Sequence, residues 1–209
     1  MVKVVDRDIK ILHEITRWRF CLGRQIRLLC EFSGQRACDR RLAKLIKAGY
    51  IERKYLLYGM PGLYFATPKA VKIFNLAFYT SNVRIEQIQH DTAVIDTAIY
   101  FIHQGINSAE ITTERELKHL NGFGNPKHDP DFVYKSNGKT ICVEVELSTK
   151  KQATIERNIK SNYSNFDVQQ WVVPSDKVKI LQNIETVRPR YSDIEVIPFE
   201  EIEKYVGTF

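Results

Sequence analysis

The hydrophobic positions in the first third of the chain follow helical spacing in three short stretches. A first helix, which Asp6 or Asp8 can cap, has apolar positions every three or four residues. These positions are Val5, Ile9, Leu12 and Ile15. A second helix follows Gly23, and a third is predicted over residues 35–48 with Ser33 as its cap. Three short helices with a tight turn before the third match the helix-turn-helix plan.

The third predicted helix has an apolar face and a basic face. The apolar positions are Cys38, Leu42, Leu45 and Ile46. Four cations recur at helical spacing on the other face, and these are Arg36, Arg40, Lys44 and Lys47. Arg41 lies beside them. Such a stripe fits the major groove of DNA, where phosphates attract cations and an arginine can donate two hydrogen bonds to guanine. Basic stripes also occur on ordinary solvated helices, so the stripe alone leaves both interpretations open.

A β-hairpin is predicted directly after this helix. Gly49 ends the helix, residues 51–58 form a strand, residues 59–62 make the turn, and residues 63–66 return. The side chains placed to touch the DNA backbone or the minor groove are Arg53, Lys54 and Tyr55. The three helices and the hairpin predict a winged helix-turn-helix domain over residues 1–80.

The pattern after residue 80 alternates between helices and strands. A short helix at Pro68 precedes a polar boundary at residues 79–82, and a long amphipathic helix is predicted over 84–104. Strands are predicted at 108–112, 131–134, 140–147, 168–173 and 194–197. Further helices are predicted to begin at Thr113, at Ser148 or Thr149, and at Pro174. This order favours a mixed sheet in a second α/β domain over residues 81–209, so the fold class is α+β.

Charge is distributed unevenly between these two regions. The whole chain of 209 residues has a net charge of +6. Residues 1–80 hold 16 lysines and arginines against 6 acids, whereas residues 81–209 hold 15 against 19. A basic first third is typical of a module that binds a polyanion. The charge distribution therefore favours a polyanion as the partner of the first domain, and the basic helix and the hairpin identify that polyanion as double-stranded DNA.

Cysteine usage and hydropathy exclude two other classes. The four cysteines have irregular spacing without a Cys-x-x-Cys pair, which predicts reduced, mostly buried thiols rather than a zinc site. No apolar run approaches the roughly 20 residues of a membrane-spanning helix. The first residues also lack the apolar core of a signal peptide. We expect a cytoplasmic protein with no membrane partner.

The second domain carries a short acidic motif on two predicted strands. His128-Asp129-Pro130-Asp131-Phe132 enters the first strand, and Glu144-Val145-Glu146 lies on the second. Asp131 and Glu144 can converge on one side of the sheet, where two carboxylates with water are enough to hold Mg²⁺ or Mn²⁺. Glu144 and Glu146 share a strand face, and three acids there repel one another unless a cation or protonation relieves them. DNA binding itself requires no cofactor.

This motif resembles the carboxylate half of a PD-(D/E)xK nuclease core. In such enzymes a lysine two residues after the second acid helps to activate water, but Glu146 stands at that position here. Lys150 and Lys151 begin the next predicted helix and can reach back. The candidate catalytic set is therefore Asp131, Glu144 and Lys150, with Asp131 and Glu144 as metal ligands. The missing lysine favours a degenerate domain that does not cleave DNA.

Taken as a whole, the chain resembles the plasmid replication–relaxation family of mobile elements in Gram-positive bacteria. The resemblance rests on the basic third helix and on several short segments. These segments are Ala48-Gly49-Tyr50-Ile51, His90, Thr113-Glu114-Arg115-Glu116-Leu117, Asp129-Pro130-Asp131 and Glu144-Val145-Glu146. It implies a winged helix-turn-helix followed by a degenerate PD-(D/E)xK-like domain. It also implies an accessory role in plasmid replication or conjugative transfer, helping a relaxase or a replication initiator at its origin.

Two alternative functions remain open from the sequence. One is a metal-dependent DNA nuclease in which Lys150 replaces the missing lysine. The other is a winged-helix transcriptional regulator whose second domain senses a ligand or forms a homodimer on an inverted repeat.

Overall fold

The computed structural model describes residues 3–56, 58–122 and 128–207. Within these residues the chain forms nine α-helices and two β-sheets, which confirms the predicted α+β class. None of the helices in the described ranges combines the length and the apolarity needed to cross a bilayer. The chain divides into two compact units, Met1–Ile95 and Asp96–Phe209. The domain boundary predicted at residue 80 stays a prediction.

The first unit contains three helices followed by a small antiparallel sheet. Its elements are α1 (Asp6–Arg17), β1 (Cys21–Leu22), α2 (Gly23–Leu29), α3 (Gln35–Lys47), β2 (Ile51–Lys54), β3 (Leu63–Ala66) and α4 (Pro68–Phe74). β3 lies between β1 and β2 and pairs antiparallel with both. The predicted third helix agrees with α3 to within one residue, and the predicted returning strand agrees with β3.

Apolar side chains from the three helices form the core of this unit. The side chains that are at most 1% exposed include Ile11, Leu12, Ile15, Ile26, Leu42 and Leu45. Two residues expected on inner faces point to solvent, since Val5 is 44% exposed and Ile46 is 39% exposed. Val5 precedes α1 as its N-cap and so falls outside the helical stripe. Ile46 follows the buried Leu45, and one helical step turns it away from the core.

The end of α3 at Gly49 and the start of α4 at Pro68 agree with the prediction. Gly49 has a φ of +72°, which favours glycine, and the N–H of Tyr50 donates to the carbonyl of Leu45 at 3.0 Å. Thr67 Oγ1 accepts a hydrogen bond of 3.2 Å from the N–H of Ala70, and proline is the first residue of α4.

The starts of α1 and α3 differ from the prediction. Gly34 rather than Ser33 precedes α3, and no side chain caps it among the described residues. At α1 the Asp8 carboxylate accepts the N–H of Val5 at 2.8 Å from within the first turn. The first hairpin strand also ends early, at Lys54, because its partner β3 has only four residues. Leu57, within the predicted strand, lies outside the described residues.

The second unit is built on a five-stranded sheet. The boundary between the two units of the chain falls within the helix α5 (Ile88–His103). The later elements are β4 (Thr112–Thr113), α6 (Glu114–Asn121), β5 (Phe132–Ser136), β6 (Lys139–Val145), α7 (Gln152–Tyr163), β7 (Val168–Val173), α8 (Val178–Val187), β8 (Ile194–Pro198) and α9 (Phe199–Gly207). The strands follow chain order across the sheet. β4, β5 and β6 pair antiparallel, whereas β6, β7 and β8 pair parallel, which confirms the predicted mixed sheet.

Two helices cover the parallel part of this sheet. Trp171 on β7 is 1% exposed and packs in a cluster with side chains of α7 and α8 that are fully buried. These side chains are Ile155, Ile159, Ile180, Ile184 and Val187. All six residues of β7 are buried, the polar Gln169 and Gln170 included, and the observed bounds of the strand match the predicted ones.

Several helix starts in the second unit differ from the prediction. α6 begins as expected after Thr113, whose hydroxyl accepts the N–H of Glu116 at 3.3 Å. α7 begins at Gln152, so neither Ser148 nor Thr149 is its cap. Ser148 instead donates its N–H and its hydroxyl to Glu146, each at 3.3 Å, which holds a turn before the helix. α5 and α8 begin four residues later than predicted, and α9 was not predicted.

The cysteines agree with the reduced-thiol prediction. All four are free and buried. Burial, with a smaller contribution from the charge of Asp39, raises the pKa of Cys38 to about 11. A thiol with so high a pKa is protonated at neutral pH and is a poor nucleophile and metal ligand.

Candidate functional site

The outer side of α3 presents four exposed cations, here called the basic face. They are Arg36, Arg40, Lys44 and Lys47. In the described part of the chain, none of the four has an ion-pair or hydrogen-bond partner. The opposite side of α3 is fixed in the core by Cys38, Leu42 and Leu45. The helix thus holds four unneutralised charges on a rigid support.

Arg41, also predicted to bind DNA, has a different environment from its neighbour Arg40. Its guanidinium donates two hydrogen bonds to the Asp8 carboxylate, one of them from Nε to Oδ1 at 2.6 Å. Its Nη2 also donates a hydrogen bond of 2.9 Å to the carbonyl oxygen of Lys3. Asp8 is fully buried, whereas the Arg41 side chain is 21% exposed. The arrangement joins α1 to α3 and occupies the donors of Arg41 within the protein.

Arg53 and Lys54, the two hairpin cations predicted to bind DNA, contact other side chains of the hairpin. The Arg53 guanidinium lies 4.9 Å from the ring centre of Tyr55 and 5.4 Å from that of Tyr64. Lys54 Nζ lies 2.7 Å from a carboxylate oxygen of Glu52. Arg53 is exposed and stacked, so its guanidinium edge stays available. Lys54 has a neutralising partner, although a surface pair of this kind is weak.

The second unit brings the acidic motif together at the end of β6, in what we call the acidic cluster. Its members are Asp131, Glu144, Glu146, Lys150 and His128. Asp131 precedes β5, and its Oδ2 accepts the N–H of Val145 at 2.7 Å. Glu144 and Glu146 are 5% and 3% exposed. The three residues predicted as a catalytic set, Asp131, Glu144 and Lys150, therefore lie within range of one another's charge.

Each buried acid of the cluster has a partner. Glu144 Oε1 pairs with His128 Nε2 and accepts a hydrogen bond of 2.8 Å from Asn162 Nδ2 of α7. Glu146 Oε2 lies 2.5 Å from Lys150 Nζ. The repulsion among three acids that the sequence presents is therefore relieved by His128 and Lys150. Lys150 does reach back to the motif, but it does so from the loop before α7 rather than from the helix.

Burial and neighbouring charges set the protonation of the cluster. Burial raises the pKa of the Glu144 carboxyl, although the hydrogen bond and charge of His128 act in the opposite direction. Burial disfavours the Lys150 ammonium, but the hydrogen bond and charge of Glu146 outweigh it and raise the pKa of Lys150. The pKa of His128 is also raised, because its hydrogen bond and attraction to Glu144 outweigh burial. Lys150 therefore stays protonated at neutral pH and is a fixed positive charge rather than a base.

The chemistry of the cluster suits a hard cation, since Mg²⁺ and Mn²⁺ prefer carboxylate oxygens. Asp131 and Glu144 would be the ligands. In the described ranges, however, no three side chains of His, Cys, Asp or Glu are grouped so that they could hold a metal ion. Two carboxylates with bound water remain the candidate donor set.

Two members of this site were missed by sequence reasoning as functional groups. His128 begins the acidic motif, yet its separation of 16 residues from Glu144 gives no indication that the two side chains pair. Asn162 lies 18 residues beyond Glu144, and only the packing of α7 on the sheet brings the two together. Its Oδ1 is buried and has no hydrogen-bond partner among the described residues.

Comparison of the chain with protein-family models, with curated proteins and with solved structures gives no match.

Proposed function

We propose that this protein binds double-stranded DNA sequence-specifically through the basic face of α3, without cleaving it. The observation that carries the proposal is the set of four exposed cations that lack partners in the described part of the chain. An unpaired cation can contact a phosphate without first breaking an internal ion pair. Each contact between such a cation and a phosphate also releases a counterion from the DNA, and this release supplies a large share of the affinity.

The local architecture supports a winged helix-turn-helix assignment for the first unit. α3 follows α2 after a short turn, and the β2–β3 hairpin follows α3. In this arrangement the third helix lies in the major groove and the hairpin acts as the wing, with Arg53 beside the backbone. Arginines at the start and middle of α3 can then donate to guanine, which supplies sequence specificity.

The second unit supports an accessory role rather than a catalytic one. Its mixed sheet, with Asp131 directly before β5 and Glu144 on the neighbouring β6, agrees with a PD-(D/E)xK-like core. Two of its acids already have partners within the protein, since Glu144 pairs with His128 and Glu146 pairs with Lys150. Together with the resemblance to the replication–relaxation family, this leads to an accessory of plasmid replication or conjugative transfer, which brings a relaxase or an initiator to its origin.

The salt dependence of binding tests the proposal. Four phosphate contacts predict that the affinity for a labelled duplex falls with a log–log slope of about −3.6, or roughly 100-fold between about 50 and about 200 mM salt. Fluorescence anisotropy of a labelled duplex measures this slope. An affinity that does not change with salt would rule out a phosphate-binding surface.

A metal-dependent nuclease is a second candidate, because Lys150 lies at the acidic cluster although the motif itself has no lysine. Lys150 Nζ lies 2.5 Å from Glu146, and the charges of Glu144 and Asp131 act on it. In phosphodiester hydrolysis, a water oxygen bonds to phosphorus, one P–O ester bond breaks, and the leaving oxygen takes up a proton. A metal ion, when bound, would act as the Lewis acid. Lys150 would hold the negative charge that develops on the phosphate.

We expect no cleavage of plasmid DNA by the wild type with Mg²⁺ or Mn²⁺. The matched variant is Asp131→Asn, which keeps the shape of the side chain and removes its charge. Cleavage that requires metal and disappears in Asp131→Asn would establish the nuclease instead. Cleavage that persists in the variant would indicate a contaminating enzyme.

A further inference from the structure

An open groove of about 630 Å³ lies in the first unit, between the start of α1 and the side of α3. Side chains from both helices and from the turn between α2 and α3 line it. They include Val5, Arg7, Phe32, Ala37, Arg40 and Lys44. Arg40 and Lys44 also belong to the basic face, so the groove continues that surface toward α1.

The groove is positively charged. Arg7, Arg40 and Lys44 have no ion-pair partner in the described part of the chain. Asp6 is the one acid among the described residues that line the groove, and the nearby Arg41 is neutralised by Asp8. An anionic ligand is therefore favoured over a neutral or cationic one.

Arg7 is the cation of the groove that contacts the ring of Phe32. The Arg7 guanidinium lies over the Phe32 ring, 4.8 Å from its centre. Stacking uses only the face of the guanidinium, so its N–H donors remain available for a phosphate. It also limits the motion of the side chain, which lowers the entropy lost when a ligand binds.

From this juxtaposition we propose that the groove binds a sugar–phosphate segment of the DNA strand that flanks α3, and that Arg7 is a DNA-binding residue. The proposal rests on the proposed function of the basic face. The volume exceeds that of one phosphate group, and the apolar side made by Val5, Phe32 and Ala37 suits the sugar. A strand that contacts Arg40 and Lys44 is thereby led to Arg7 on α1.

The test compares Arg7→Ala with a matched control, Lys72→Ala. Both residues are exposed helical cations of the first unit, and Lys72 is not part of the groove or of the basic face. Arg7→Ala is expected to weaken duplex affinity roughly fivefold at about 0.1 M salt and to reduce the salt slope by about 0.9. Lys72→Ala is expected to leave affinity within about twofold of the wild type and the slope unchanged.

Two outcomes overturn the inference and leave DNA binding intact. In the first, Arg7→Ala behaves like Lys72→Ala while substitutions on the basic face still weaken binding. In the second, dAMP raises the melting temperature of the wild type, and Arg7→Ala abolishes this shift without changing duplex affinity, so the groove binds a free nucleotide. A wild type that binds no duplex would overturn the proposed function together with the groove.

Discussion

Replacing Arg40 and Lys44 by alanine together is expected to weaken duplex affinity more than tenfold at moderate salt. The double variant removes two exposed cations of the basic face, neither of which has a partner in the described part of the chain. Loss of two phosphate contacts also reduces the salt slope by about 1.8. Stability should be retained, because alanine favours helices and neither side chain is buried.

A charge-matched control separates this effect from the loss of net charge. Lys179 on α8 and Lys204 on α9 are exposed helical lysines of the second unit. Their double alanine variant lowers the net charge by the same amount. Equal duplex affinities for the two double variants would show that α3 is not the recognition helix. Anisotropy titrations at two salt concentrations, with circular dichroism to verify folding, make the comparison.

Arg41→Ala is expected to destabilise the first unit by about 3 kcal/mol, at the lower end of the cost of breaking a buried ion pair. The variant leaves the fully buried Asp8 carboxylate without its cation. The lower end applies because the Arg41 side chain is 21% exposed. Arg40→Ala, one residue away, should change stability by no more than about 0.5 kcal/mol. Urea unfolding of the two variants measures the difference.

Substitutions at the two adjacent arginines are therefore expected to have opposite effects. Arg41→Ala lowers stability, whereas Arg40→Ala lowers DNA affinity. Adding Asp8→Ala to Arg41→Ala should recover part of the lost stability, since no unpaired charge is then left buried. If Arg41→Ala is as stable as Arg40→Ala but loses DNA affinity, the Asp8 pair is not structural and Arg41 belongs to the basic face.

The elements that the sequence predicts best are those with a strict local pattern. α3 is predicted to within one residue because its apolar and basic positions repeat with the helical period. β7 is predicted at both ends because its valines and its tryptophan favour a strand and because Asp167 and Pro174 bound it. Gly49 and Pro68 act on their immediate neighbours, so the end of α3 and the start of α4 are also predicted.

The groups that the sequence misplaces depend on contacts between distant segments. Asp8 neutralises Arg41 across 33 residues, so the helical pattern of α3 alone cannot distinguish Arg41 from Arg40. Likewise, Ser148 has the chemistry of a helix cap, but its competing hydrogen bonds to Glu146 move the start of α7 to Gln152. The position of Lys150 at the acidic cluster follows from that turn.

DNA binding through the basic face of α3, without cleavage, can be tested in a single gel. Supercoiled and linear plasmid DNA would be incubated with the wild-type protein, with and without Mg²⁺, and run beside the Arg40→Ala plus Lys44→Ala variant. We predict that the wild type retards both forms without cutting them and that the variant retards them much less. DNA that migrates unchanged with the wild type, or that is retarded equally by both proteins, would contradict binding through the basic face of α3.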